Sequence, residues 1–189
     1  MANDQIFHNF ENLTKRREIM TLVDEIKLLL EAPTMNARDI RTLLRQDHDE
    51  ALKLARDMYE SESGDERRAL LRQLKPALVL TARAEEKEVY EALLKTREAE
   101  LCDLAYEGYV EHGVMDDLLE KLLKSRKTET DEWKAHAKVL LEFLERHIDD
   151  EHDLIFNALE EHFNDDEREA LGRRFTASKS RLTVKLKAA

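Results

Sequence analysis

Turn-forming and cross-linking residues are scarce in this sequence of 189 residues, which contains four glycines, two prolines and one cysteine. So few chain breakers leave little material for the closely spaced turns of a sandwich or barrel. β-Branched residues are sparse as well, while Leu, Ala, Glu, Lys and Arg dominate, the composition of an all-α protein. The lone thiol, Cys102, excludes an internal disulfide framework and suits a reducing compartment. No apolar run approaches the roughly 20 residues that span a bilayer. The opening Met-Ala-Asn-Asp-Gln lacks the basic and apolar regions of a signal peptide, so a cytoplasmic location is expected. The formal net charge of -11 argues against nucleic acid or an anionic membrane surface as a partner, since both are polyanions. No Ser-His-Asp arrangement, P-loop, dinucleotide fingerprint or Cys-pair zinc pattern appears.

What is present is a succession of amphipathic runs. The first, about Asp4 to Glu31, ends before Pro33 and reads as an accessory N-terminal helix over 1–34. A second run, which Asn36 can cap, continues from Arg38 to about Glu60 with Ile40, Leu44, Ala51, Ala55 and Met58 inward. Ser63 and Glu66 form a capping-box pattern for a third run, Asp65 to about Lys95, in which Pro76 predicts a kink rather than a break. A fourth run spans about Glu98 to Ser125, and a fifth spans Trp133 to Phe163. Asn164 and Glu167 mark another capping box before a last helix with Leu171, Phe175, Ser178 and Leu182 on one side, and its basic end from Thr183 is expected to fray. The domain reading is a bundle over 35–163 with a C-terminal helix and tail over 164–189.

Four consecutive runs carry a metal-competent side chain in the middle of an otherwise apolar face. They are His48, Glu85, His112, and the pair His147 and Glu151, which lie one helical turn apart on a single face beside Trp133, Ala137, Leu140, Leu144, Leu154, Ile155 and Ala158. A carboxylate buried at such a level is costly unless paired, hydrogen-bonded or bound to a metal. Short connections make consecutive helices antiparallel neighbours, giving an up-down-up-down four-helix bundle with additional N-terminal and C-terminal helices. The five side chains then converge, and a mix of imidazole and carboxylate suits iron, manganese or zinc and is wrong for calcium. His8, His136, His152 and His162 are read as surface or helix-end residues. Tyr90, Tyr106 and Tyr109 are read as packing residues, although one beside a metal could meet a bound oxygen species. For Thr81, the expected hydroxyl partner is a backbone carbonyl one turn earlier.

Several stretches together resemble the hemerythrin-like, or HHE cation-binding, family of non-haem di-iron four-helix bundles. Gln46-Asp47-His48 is similar to its first-helix Asp-His, and Ala82-Arg83-Ala84-Glu85-Glu86 to its second-helix segment. Glu111-His112 is similar to the third-helix Glu-His, and His147 with Glu151 to the fourth-helix pair. The resemblance covers about Arg38 to Phe163. It implies two irons bridged by Glu85 and Glu151, with His48, His112 and His147 as terminal ligands.

Two positions depart from that pattern. Thr81 stands where the second-helix histidine would be, and Gly108 stands where oxygen-carrying members have a further histidine. Two ions, with Glu86, Glu111 or water completing the set, and one ion both remain open, with zinc or manganese as other metals. The expected role is sensing or handling of oxygen, nitric oxide, peroxide or iron, with Gly108 and Thr81 enlarging the open space at the metal. A metal-free helical interaction module is the alternative, and the terminal helices could support a homodimer. A ferritin-like oxidase fits less well, because its Glu and His are three residues apart and the pairs here are four apart.

Overall fold

The computed structural model describes residues 38–188, and the expectations for the N-terminal helix, His8 and the Asn36 cap fall outside them. Among the described residues there are helices and turns and no strand. Helix α1 spans Ile40–Glu60, and its N-cap is Asp39, whose carboxylate accepts from the Arg41 amide at 2.9 Å. Ile40, Leu44, His48, Ala51, Ala55 and Met58 form its buried stripe. Helix α2 begins at Gly64–Glu85 and passes through Pro76 unbroken. Ser63 accepts from the Glu66 amide at 3.3 Å, but Glu66 accepts from the Ser61 hydroxyl at 2.7 Å rather than closing the box on Ser63.

Two helices contain a wider turn. In α2 the backbone widens to a π-turn over Glu86–Tyr90 before finishing as Glu91–Thr96. Helix α3 spans Ala99–Lys124. Helix α4 starts at Asp131–Asp150 behind the Thr130 cap, widens over Glu151–Ile155 and finishes as Phe156–His162. A π-turn adds a residue, so every later side chain moves about 100° around the axis relative to an uninterrupted α-helix. That shift corrects one expectation, since Leu154 is 48% exposed while Phe156 is buried; in α2 it leaves Tyr90 and Leu93 buried and Ala92 half-buried.

Helix α5 spans Asp165–Ala188, continuing past Thr183, and both arms of its capping box form: the Glu167 amide donates to Asn164 at 3.1 Å and the Asn164 amide to Glu167 at 2.9 Å. It packs on α1 and α2. Gly172 permits the closest approach, since a Cβ there would lie 2.2 Å from the Arg38 carbonyl oxygen.

Apolar burial is divided in two. One cluster gathers Ala55, Met58, Leu74, Leu122, Trp133 and Leu140, and the other gathers Ile40, Leu44, Tyr90, Leu93, Leu101 and Leu159. Each fully buried large side chain contributes roughly 1.5–3 kcal/mol. Along α1 to α4, His48, His112 and Glu151 fall where the chain passes from one cluster to the other, and Glu85 and His147 lie one residue from such a crossing. The fold thus places one polar layer between two dry ones.

Candidate metal centre

All five expected residues are inside this layer: His48 is 5% exposed, Glu85 1%, His112 2%, His147 2% and Glu151 4%. They form two overlapping donor groups, His112 with His147 and Glu151, and His48 with Glu85 and Glu151, each with donor atoms within 4.8 Å of one another. Glu151 belongs to both. Its Oε2 lies 3.4 Å from His48 Nε2 and 3.6 Å from His147 Nε2, while Glu85 Oε2 lies 3.7 Å from His112 Nε2.

These separations fit a shared cation better than direct hydrogen bonds. Two donors each about 2.1 Å from one ion stand about 3.0–3.6 Å apart at coordination angles of about 90–120°. Glu85 Oε1 and Glu151 Oε2 are buried and receive no hydrogen bond from any described residue. A buried carboxylate oxygen without a donor is costly, and a cation is the usual remedy. A void of about 20 Å³, lined by His48, Glu85, His112, His147, Thr81 and Asp47 among others, lies between the donors. That is about the room of one small ion or water.

The outward face of each imidazole is fixed by a neighbour. His112 Nδ1 pairs with Glu86 Oε1 at 3.0 Å, and His147 Nδ1 pairs with Glu111 Oε2 at 2.7 Å. A proton held on Nδ1 leaves Nε2 as the inward lone pair, and the carboxylate makes that nitrogen a better donor. Glu86 and Glu111 therefore orient the imidazoles instead of filling an empty ligand position. His48 Nδ1 instead meets His152 Nε2 at 3.2 Å, with the two rings stacked. His152 is thus part of the centre's surroundings, contrary to a surface role. It turns away from the donors, as one residue past Glu151 must, and reaches back to His48 from outside. His136 bonds the Glu132 carbonyl oxygen and His162 pairs with Glu98, both away from the layer.

Burial and charge set the protonation. His48 is driven down to about 4 by burial, so it is neutral at physiological pH. Burial also lowers His147, but the Glu111 hydrogen bond and the Glu151 charge outweigh it and raise the group. Burial, followed by the charge of Glu151, pushes Glu85 well above the usual carboxylate range. Burial opposes ionisation of Glu151 too, yet the His147, His48 and His112 imidazoles hold it below its usual value.

At each departure from the expected ligand pattern a side chain from another part of the chain occupies some of the space. A Cβ on Gly108 would lie 2.5 Å from the Tyr90 ring, so the space above this glycine holds that ring. Tyr90 is fully buried, its hydroxyl donates to Glu151 Oε1, and it lies 3.4 Å from His112 Nε2. The Thr81 hydroxyl donates to Asp47 Oδ2 at 3.3 Å rather than to the backbone, and Lys179 of α5 donates to both Thr81 and Asp47. Outside the donor layer, a cavity of about 210 Å³ opens beside Tyr90, Gly108, Glu111, Glu151, Leu154 and Ile155. Sequence periodicity pointed to the five inward donors; Tyr90, His152 and Lys179 gave no such signal.

A family model described as the hemerythrin HHE cation binding domain matches residues 39–169. The chain belongs to this family. The match takes in α1 to α4, and with them every donor of the layer. Cation binding is the property that this hemerythrin domain is described by, and the buried His and Glu groups here are of the kind that can hold metal. No curated protein and no solved structure matches the chain. Among the described residues, no helix is long and apolar enough to cross a membrane.

Proposed function

We propose that this hemerythrin-domain protein binds non-haem iron in the layer formed by His48, Glu85, His112, His147 and Glu151 and uses it to sense or handle a small oxidant such as oxygen, nitric oxide or peroxide. The observation that carries the reading is the pair of buried, donor-less carboxylate oxygens facing three inward imidazole nitrogens. Nitrogen and oxygen donors together suit iron, and they admit zinc or manganese. The four helices are read as an up-down-up-down bundle with terminal helices added, supported by the way their buried residues alternate between the two apolar clusters. A cytoplasmic setting agrees with the single free thiol, Cys102.

Reduced iron would supply the electrons and the open coordination position that a small oxidant needs. The chain supplies the rest. Glu86 and Glu111 hold protons on the outer ring nitrogens. The two apolar clusters limit water on either side. Tyr90 holds its proton on Glu151, and burial, then the Glu151 and Glu85 charges, keep the phenol from ionising. The 210 Å³ cavity has room for a diatomic or peroxide and none for a large organic substrate.

Anaerobic loading with ferrous iron, followed by an optical spectrum on admitting air, tests this reading. Bound iron and a new absorption band on exposure to air are expected, and failure to retain iron rejects it. In His147→Ala with Glu151→Ala, metal uptake is abolished. Because ligation needs neutral imidazole, affinity falls as pH drops, and His147, raised by Glu111, meets proton competition before His48. Metal should also raise Tm, and a chelator should lower it; a metal-free interaction module predicts no response to either.

A further inference from the structure

The donor layer has two sides that differ in construction. On one, His112 and His147 are each backed by a carboxylate, Glu86 and Glu111. On the other, His48 is backed by the imidazole of His152, which adds no negative charge and leaves His48 a weaker donor. Each side lacks one ligand of the expected set, at Gly108 on the first and at Thr81 on the second. Thr81 lies one turn before Glu85 on the same face of α2, and its hydroxyl already donates to Asp47 and accepts from Lys179. Asp47 in turn is salt-bridged to Lys179.

Lys179 does not come from α1 to α4. It reaches in from α5, past the buried ring of Phe175, whose centroid lies 5.6 Å from the ammonium. The residues it holds, Thr81 and Asp47, both line the small void between the donors. An ammonium is thus fixed beside the half of the layer formed by His48 and Glu85. A divalent ion in that half would have one imidazole and two carboxylates with the Lys179 ammonium beside it, whereas the other half offers two imidazoles and one carboxylate.

We propose that Lys179 takes the place of a second metal ion, so that the centre holds a single ion on His112, His147 and Glu151. The ammonium neutralises Asp47, fixes the Thr81 hydroxyl and disfavours a cation at His48 and Glu85. The fifth described helix, which supplies Lys179, thereby sets the number of ions in a layer built by the other four. This inference rests on the metal-binding reading above and goes beyond it in assigning stoichiometry and the residue that enforces it.

The test is metal per chain in the full-length protein, loaded anaerobically with excess ferrous iron, desalted and measured by elemental analysis. One ion per chain is expected. Two per chain in the unaltered protein overturns the inference while leaving iron binding intact, and none overturns the iron-binding reading itself. Lys179→Met combined with Thr81→His, checked for unchanged helicity, should raise the count to two, and Lys179→Arg should keep it at one. A folded double variant that still holds one ion contradicts the role given to Lys179. Co(II) absorption provides an independent readout: one ligand-field pattern for the unaltered protein and a second, distinct pattern for the double variant, whereas two patterns in the unaltered protein count against the proposal.

Discussion

Beside His112 and His147 the outer ring nitrogens meet carboxylates, whereas beside His48 the corresponding nitrogen meets another imidazole. The two sides share Glu151 and equal burial, so the contrast comes from the residues behind the donors. Buried donors alone do not define a strong site; what stands behind them decides how much charge they can offer. Under the single-ion proposal the carboxylate-backed side holds the ion, and the Thr81 hydroxyl and the Lys179 ammonium close the other.

The largest effect should come from removing a donor on the strong side. His112→Ala should lower retained iron to below about a hundredth of the unaltered level, more than the loss of about 10–100-fold typical of a supporting residue, while His48→Ala should keep most of it. Equal losses from the two variants would erase the difference between the sides. Glu111→Gln should weaken binding by about 10–100-fold in a chelator competition, because it removes the charge behind His147. His152→Phe, by the same contrast, should change it little. A result in the reverse order would show that the supporting carboxylates are not what distinguishes the sides.

How much of this was legible in the sequence follows the helical period. His48, Glu85, His112, His147 and Glu151 stood out because each interrupts an apolar stripe, and a stripe of period 3.6 is visible in a linear sequence. Tyr90 did not stand out. Its approach to Glu151 depends on a π-turn over Glu86–Tyr90, and an uninterrupted helix reads the positions beyond it in the wrong register. Leu154 was misplaced for the same reason in the second π-turn. Lys179 and His152 were hidden differently. Each acts on a helix distant in sequence, and no local pattern reports which side chain from another element will fill a gap.

Smaller effects should fall outside the layer. Gly108→Ala places a methyl against the Tyr90 ring and should cost about 1–3 kcal/mol of stability in denaturant unfolding. It should also separate the phenol from Glu151, altering the spectrum of the loaded protein more than the amount of metal bound. Asp39→Ala removes the α1 cap and the link to Arg168, and should cost about 1 kcal/mol with no change in iron content. Burial raises the Asp39 carboxyl, but hydrogen bonds from Arg41 and Arg168 outweigh it and hold the group at about 2, below its ordinary 3.8. A depressed carboxyl stabilises fully above its unfolded value, and that contribution is lost as pH falls through about 2. The stability gap between the unaltered protein and Asp39→Ala should therefore be constant above about pH 5 and close in strong acid. A gap that persists there would mean that the carboxylate charge is not its source.

The most direct measurement is an anomalous difference map at the iron edge, from crystals of the anaerobically loaded protein. One peak among His112, His147 and Glu151, with none between His48 and Glu85, is the predicted result. No iron at the donor layer, or two peaks of equal height across it, would contradict it.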